Sequence, residues 1–306
     1  VEIMVCEDKS PKREEVRGVV NAYKKNSPFS VVYCENENNL GFDGNVRECI
    51  KQSSGDWVVF MGDDDAFIPG ALQKLISFIR VHNELGYVLR SYRTVYENGS
   101  TEPFRYYSGN IFFDSGERSY FELFRKSVFI SGFTIKRELA MPHLINVFDG
   151  TLLFQLYLVA EVLLKYPSAY FDQPLTEQYE RELSPFFGNS EAEKKLYTPG
   201  IVTVENSINF MTGFSKITEY IDKKYNLKST AFIKRDISKY SYPILSIQRE
   251  RGIKTFLSYV GKLNALGFNV TPYYYIYVLS LILFGKKFCD GAIKLIKSVL
   301  GRTPKL

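Results

Sequence analysis

Short apolar runs alternate with amphipathic stretches over the first 180 residues of the chain. "EIMVC" at 2–6 predicts a buried strand that ends in Glu7-Asp8, and Ser10-Pro11 then offers an N-cap with proline at the first helical position. Val16, Val19, Val20 and Tyr23 recur at helical spacing and predict a helix to about Lys25. "SVVYCE" (30–35) reads as the next strand, "NNLGFDG" (38–44) as a polar loop, and 45–52 as a helix. "DWVVFM" (56–61) predicts a third strand, which runs straight into Asp63-Asp64-Asp65. Pro69-Gly70 opens a further helix that carries Leu72, Leu75, Ile76 and Ile79. Strands alternating with helices in this way predict an α/β fold with a mostly parallel central sheet flanked by helices. Ligands of such sheets sit at the carboxyl ends of the strands, which is where both acidic clusters fall.

Residues 87–140 read as shorter strands and turns. "FDGTLLFQLYLVAEVLL" (148–164) predicts an amphipathic helix with Asp149 at its N-terminal edge, and "SAYFDQPLTEQY" (168–179) a last strand. Beyond about 190 the pattern is helical, over 203–224, 229–250 and 252–266. A boundary within "SPFFGNSEAE" (184–193) divides the chain into a domain of 1–190 and a helical region of 191–306.

Tyr273–Phe284 is strongly apolar but shorter than the ~20 residues that a spanning helix requires. After it, Phe288, Ala292, Leu295, Ile296 and Val299 fall at helical spacing. Lys286, Lys287, Lys294, Lys297, Arg302 and Lys305 accompany them, with Asp290 the one acidic residue. That pattern predicts a helix lying on an anionic membrane surface.

Composition narrows the chemistry. A net charge of +5 spread through the 306 residues leaves no basic stripe for nucleic acid. Cys6, Cys34, Cys49 and Cys289 lack CxxC spacing, and with only His82 and His143 beside them they read as free thiols and not as a zinc site. No phosphate-binding glycine loop, GxSxG or HExxH motif occurs. Three adjacent carboxylates repel one another unless a cation or solvent intervenes. In extended chain alternate side chains share a side, so Asp63 and Asp65 are expected to face one site. Two hard oxygen donors suit Mg²⁺ or Mn²⁺ shared with a diphosphate. A solvated acidic turn is the competing reading; the second acidic strand end at Glu7-Asp8 favours the cation.

These residues also carry a resemblance. "VEIMVCEDKSP" resembles the "EIIVVDDGSTD" segment of inverting family 2 glycosyltransferases of GT-A fold. "NNLGFDGNVRECIKQSSGDWVVFMGDDD" resembles that family's following block, with its N-x-G-x-x-x-N opening and closing DxD. The likeness is close over residues 1 to about 80 and looser over 125–175. It implies that Glu7, Asp8, Asn45, Asp63 and Asp64 bind the nucleotide-sugar donor, expected to be a UDP-sugar. It further implies that Asp63 and Asp65 hold the metal. Asp149 matches the position of the family's catalytic base, with Glu161 and Asp172 as other carboxylates in the running; a plain helix cap is the competing role for Asp149. The family's first strand, of the type "SIIIPTYNR", has no counterpart in the chain as given.

The expected activity is metal-dependent, inverting transfer of a hexose to a hydroxyl of a surface glycan or lipid-linked oligosaccharide. The expected location is the cytoplasm, at the inner face of the plasma membrane. A non-catalytic donor-binding scaffold of the same fold and a sugar nucleotidyltransferase are the alternatives.

Overall fold

The structure, a computed structural model, describes residues 1–179 and 187–300, with side chains to residue 295. Part of the expected boundary segment, and Arg302 and Lys305, lie outside the described residues, as do the side chains of Ile296, Lys297 and Val299. Strand β1 (Glu2–Glu7), helix α1 (Arg13–Lys24), β2 (Ser30–Glu35) and α2 (Gly41–Gln52) open the chain. They are followed by β3 (Trp57–Val59), β4 (Asp65–Phe67), α3 (Ala71–Val81), β5 (Tyr87–Val95), β6 (Thr101–Phe104), β7 (Ile111–Phe113) and α4 (Glu117–Leu123). Next come β8 (Phe133–Lys136), α5 (Arg137–Ala140), α6 (Phe154–Leu163) and β9 (Ser168–Tyr179). The helical region consists of α7 (Val204–Tyr225), α8 (Ser229–Lys239), α9 (Tyr242–Glu250), α10 (Ile253–Ala265) and α11 (Pro272–Leu300).

The α/β class and the helical C-terminal region are as expected, but the strand pairing is mixed and not mostly parallel. β1 and β2 form a parallel pair of their own. The larger sheet runs β3-β8-β5-β9-β4, with β6 added to β5 and β7 to β9. Only β5 and β9 pair in parallel within it. The chain between α3 and α6 returns through short strands rather than through crossover helices, and adjacent returns of that kind pair antiparallel.

Three helix boundaries differ from expectation, each for a local reason. α2 begins at Gly41, inside the stretch read as loop, because carboxylates from elsewhere in the chain cap it there. α6 begins at Phe154 rather than near 148, and all ten of its residues are buried. A helix apolar all round belongs in an interior, and this one lies in the core between the sheet and α7. The stretch 229–250 is two helices, because Pro243 sits in the first turn of α9 and cannot continue the α8 hydrogen-bond ladder.

A single apolar cluster joins the sheet (Tyr87, Leu89, Phe133, Ile135), α6, and the helical region (Ile217, Leu245, Tyr259, Leu281). Glu161 is the one charged side chain of α6 and is fully buried. Its carboxylate accepts hydrogen bonds from Lys224 Nζ at 2.6 Å and from Tyr225 Oη, with His143 and Lys165 3.6 Å away. Burial works to raise its pKa, but these donors outweigh it and hold the pKa below the usual value. This carboxylate ties α6 to α7. The Cys6 and Cys34 thiols face each other across β1 and β2, and all four cysteines are free.

Candidate active site

Glu7 and Asp8 leave β1 in opposite directions and do different work. Glu7 is buried and accepts hydrogen bonds from the amides of Lys9 (3.0 Å) and Ser10 (2.6 Å) and from the Arg13 guanidinium. Burial acts to raise its pKa, but the Ser10 and Arg13 hydrogen bonds lower it on balance. It closes the turn into α1. Asp8 reaches across to the N-terminus of α2: its Oδ1 accepts from Leu40 N and Asn36 Nδ2, each at 2.8 Å, and its Oδ2 from Gly41 N at 2.9 Å. Asn36 Nδ2 also donates to Asn45 Oδ1 at 3.0 Å, and Asn45 Nδ2 donates to Cys6 O at 3.0 Å. Asp8, Asn36 and Asn45 thus form one network that binds the carboxyl ends of β1 and β2 to α2.

The first amides of a helix have no partner within it, and its dipole favours negative charge there. Here distant carboxylates meet both needs. Phe42 N donates to Glu193 Oε1 at 2.9 Å, while Glu193 Oε2 accepts from Gly188 N at 2.8 Å. Gly41 makes the approach possible: its φ is +72°, and a Cβ there would collide with the Glu193 carboxylate and the Ser190 hydroxyl.

Asp43, one turn into α2, accepts from Leu152 N (2.9 Å) and Phe154 N (2.8 Å) and so caps α6. Asp149 therefore does not cap that helix. Its carboxylate is held by both terminal nitrogens of Arg47, with Arg47 Nη2 2.7 Å from Oδ2, and the guanidinium lies 5.2 Å from the Phe154 ring centroid.

Burial pushes the Asp43 carboxyl from 3.8 up to about 6, against the pull of its two backbone donors. A carboxyl whose pKa is higher in the folded state contributes stability below the unfolded value and loses it as pH rises through the folded one. The chain is expected to lose about 3 kcal/mol from this group between roughly pH 4 and pH 6. Unfolding measured across that range for the wild type and for Asp43→Asn checks this. The wild type minus variant difference falls by that amount with rising pH, and a difference that stays flat contradicts it.

At the end of β3, residues 63–64 form a turn, so strand alternation does not govern them. Asp65 opens β4 and pairs with Gln178. The turn is pinned by Ser131, whose Oγ accepts from Gly62 N at 2.7 Å and which also hydrogen-bonds Asp65. A Cβ at Gly62 would lie 2.9 Å from Asp64 Oδ1 and 3.3 Å from both Asp65 Oδ2 and Ser131 Oγ. The bare glycine thus keeps open a small hollow edged by two carboxylates. Asp64 and Asp65 both edge it. Burial raises the pKa of Asp65, the Ser131 hydrogen bond offsets part of this, and the charges of Asp64 and Asp63 raise it further. Beneath the turn lies Arg90, fully buried, donating to Phe60 O at 2.8 Å and to Thr176 Oγ1 at 3.3 Å. Burial lowers its pKa to about 10, and Asp65 feels its positive field.

The start of β1 is tied to the segment ahead of β3. Glu2, at the start of β1, accepts hydrogen bonds from Ser54 N (2.9 Å) and Ser54 Oγ (2.8 Å), just ahead of β3. β1 and β3 lie in different sheets, and this contact joins the start of the one to the approach to the other. The carboxylates beside Gly62 are hard donors and fit a Mg²⁺ or Mn²⁺ ion that takes its remaining ligands from phosphate and water. Among the described residues no three His, Cys, Asp or Glu side chains group into an all-protein metal site. Of the other carboxylates, Asp172 pairs with Arg105 at 3.3 Å. Sequence reading missed Asp43, Arg47, Glu193, Ser131 and Arg90, because what each does depends on a partner remote in sequence.

The chain is a mixed α/β fold with acidic residues following β1 and β3 and a helical C-terminal region. Residues 1–140 match the family model for glycosyl transferase family 2. No curated protein matches the chain. Similar solved structures include S. aureus TarS 1–349, at 12% identity over 91% of this chain and 81% of that one, with a TM-score of 0.46. The same protein in complex with UDP gives 13% identity over the same shares and a TM-score of 0.48. S. aureus TarS in a longer form gives 13% identity over 91% of this chain and 49% of that one, with a TM-score of 0.46.

Proposed function

We propose that the chain transfers a hexose from a UDP-sugar, with inversion and with Mn²⁺ or Mg²⁺, to a hydroxyl of a surface glycan or lipid-linked oligosaccharide. The observation that carries this reading is that the segment matched by the family 2 model contains both acidic strand ends, Asp8 and Asp63–Asp65. Residues 1–190 would handle the donor, and residues 191–306 would carry the acceptor side at the cytoplasmic face of the membrane.

In this reading the Asp8–Asn36–Asn45 network forms the wall against the nucleoside, and Glu7 fixes the turn beside it. Asp63 and Asp65, with Asp64 at the Gly62 hollow, hold the cation on the diphosphate. When bound, that cation stabilises the charge of the leaving diphosphate as a Lewis acid. Asp149, kept in place by Arg47, takes the proton of the acceptor hydroxyl as that oxygen attacks the anomeric carbon from the face opposite the nucleotide. One displacement of this kind inverts the configuration.

The test is UDP release from UDP-glucose, UDP-galactose and UDP-N-acetylglucosamine, with Mn²⁺ and with chelator. Release above the buffer rate, abolished by chelator, is the expected result. UDP binding without release from any donor would favour the non-catalytic scaffold, to which the occupied Asp8 carboxylate lends some support.

A further inference from the structure

Helix α11 has two halves, divided at Gly285 (φ 72°, ψ 172°). Tyr274, Leu281 and Cys289 turn inward and are buried. The outward side of the first half carries Tyr275, Ile276, Leu279 and Leu283 at helical spacing, each more than half exposed. Beyond the kink, Phe288 and Leu295 are also more than half exposed. Clustered exposed apolar side chains rimmed by polar ones mark interaction surfaces.

Charge on the same face selects the partner. Lys287 and Lys294 are exposed and fall beside Phe288 and Leu295 at helical spacing. Asp290, the one acidic residue of the helix, is turned away from that face. Its carboxylate accepts from Tyr242 Oη at 2.5 Å and Ser246 Oγ at 3.2 Å and pairs with Lys286 at 2.9 Å. The outward face is thus apolar and positive with no negative side chain among its described residues. A two-fold contact between copies sets a patch against itself and so brings no negative side chain of that patch to the lysines. An anionic lipid surface satisfies both the apolar and the basic positions. The apolar half, residues 272–284, is only about 20 Å long at ~1.5 Å per residue, against a hydrocarbon core of ~30 Å. Among the described residues no helix is long and apolar enough to cross a membrane.

We propose that this face of α11 docks the protein in the plane of an anionic phospholipid surface, with Ile276, Leu279 and Leu283 in the interface and Lys287 and Lys294 on the headgroups. The proposal is independent of the transfer reaction. The experiment is co-sedimentation of the full chain with vesicles of pure phosphatidylcholine and with vesicles one-third phosphatidylglycerol. Binding to the mixed vesicles, weakened by salt, is expected. Leu279→Glu/Leu283→Glu lowers it at least about tenfold. Lys287→Ala/Lys294→Ala costs about fivefold per lysine on the anionic vesicles and leaves binding to pure phosphatidylcholine unchanged. All four side chains are exposed, so both variants keep the wild-type unfolding temperature. The proposal is overturned by absence of binding at low salt. It is also overturned by equal binding of wild type and variants, or by a lipid-free dimer that Leu279→Glu/Leu283→Glu dissociates.

Discussion

Alanine at Asp65 is expected to lower UDP release from the preferred UDP-sugar by a factor on the order of 10²–10³, a loss typical of removing one group that stabilises developing negative charge. Asp65 is the most constrained of the three carboxylates. It sits at the first pair of β4, is partly buried, and is held by Ser131. Its position is therefore set before any ligand arrives, and preorganisation is what makes such a group effective. The backbone pairing with Gln178 remains in the variant, so the unfolding temperature should change little. Asp65→Asn keeps the shape and an acceptor for Ser131 but loses the charge. If the carboxylate acts through charge, Asn is as inactive as Ala. Recovery of activity in Asp65→Asn would mean that the residue serves only to hold the turn.

Asp149→Asn is expected to lower kcat by a factor on the order of 10²–10⁴, the usual contribution of a positioned general base, and to leave UDP affinity unchanged. Both carboxylate oxygens lie against Arg47, which orients them, and each retains a lone pair for a hydroxyl proton. The contrary role is structural, because the same pair joins α2 to the segment before α6. The two are separated by measuring kcat and the unfolding temperature of the variant together. A fall in kcat at constant stability supports the base. An unchanged kcat with a lower unfolding temperature leaves Asp149 as a tie between elements.

Local signals in the sequence carried most of the fold. The strands at 30–35 and 168–179 were legible to the residue, since apolar β-rich runs ended in clear polar or turn residues. α1, α7 and α10 lay within two residues of their predicted limits, although α1 begins at Arg13 with Lys12 as its N-cap and not at Pro11 behind Ser10. What escaped depended on partners far along the chain. Asp43 looked like part of a polar loop, yet it caps a helix that starts 111 residues later. Glu193 sat in a presumed boundary segment and caps α2 from 151 residues away. For Asp149 a helix cap was the competing role, and an arginine 102 residues earlier holds its carboxylate. The acidic triplet follows a strand as expected, while a turn at 63–64 stands where extended chain was assumed. Sheet pairing was the weakest inference, since alternation of strands and helices does not reveal which strands return antiparallel.

The central claim is that the carboxylates at the ends of β1 and β3 make one site for a nucleotide diphosphate and a divalent cation. It is tested most directly by isothermal titration of UDP into the protein, with and without Mn²⁺, for the wild type and Asp65→Ala. The account predicts binding that strengthens at least about tenfold with Mn²⁺, with that gain absent in the variant. UDP binding indifferent to both Mn²⁺ and the substitution would contradict it.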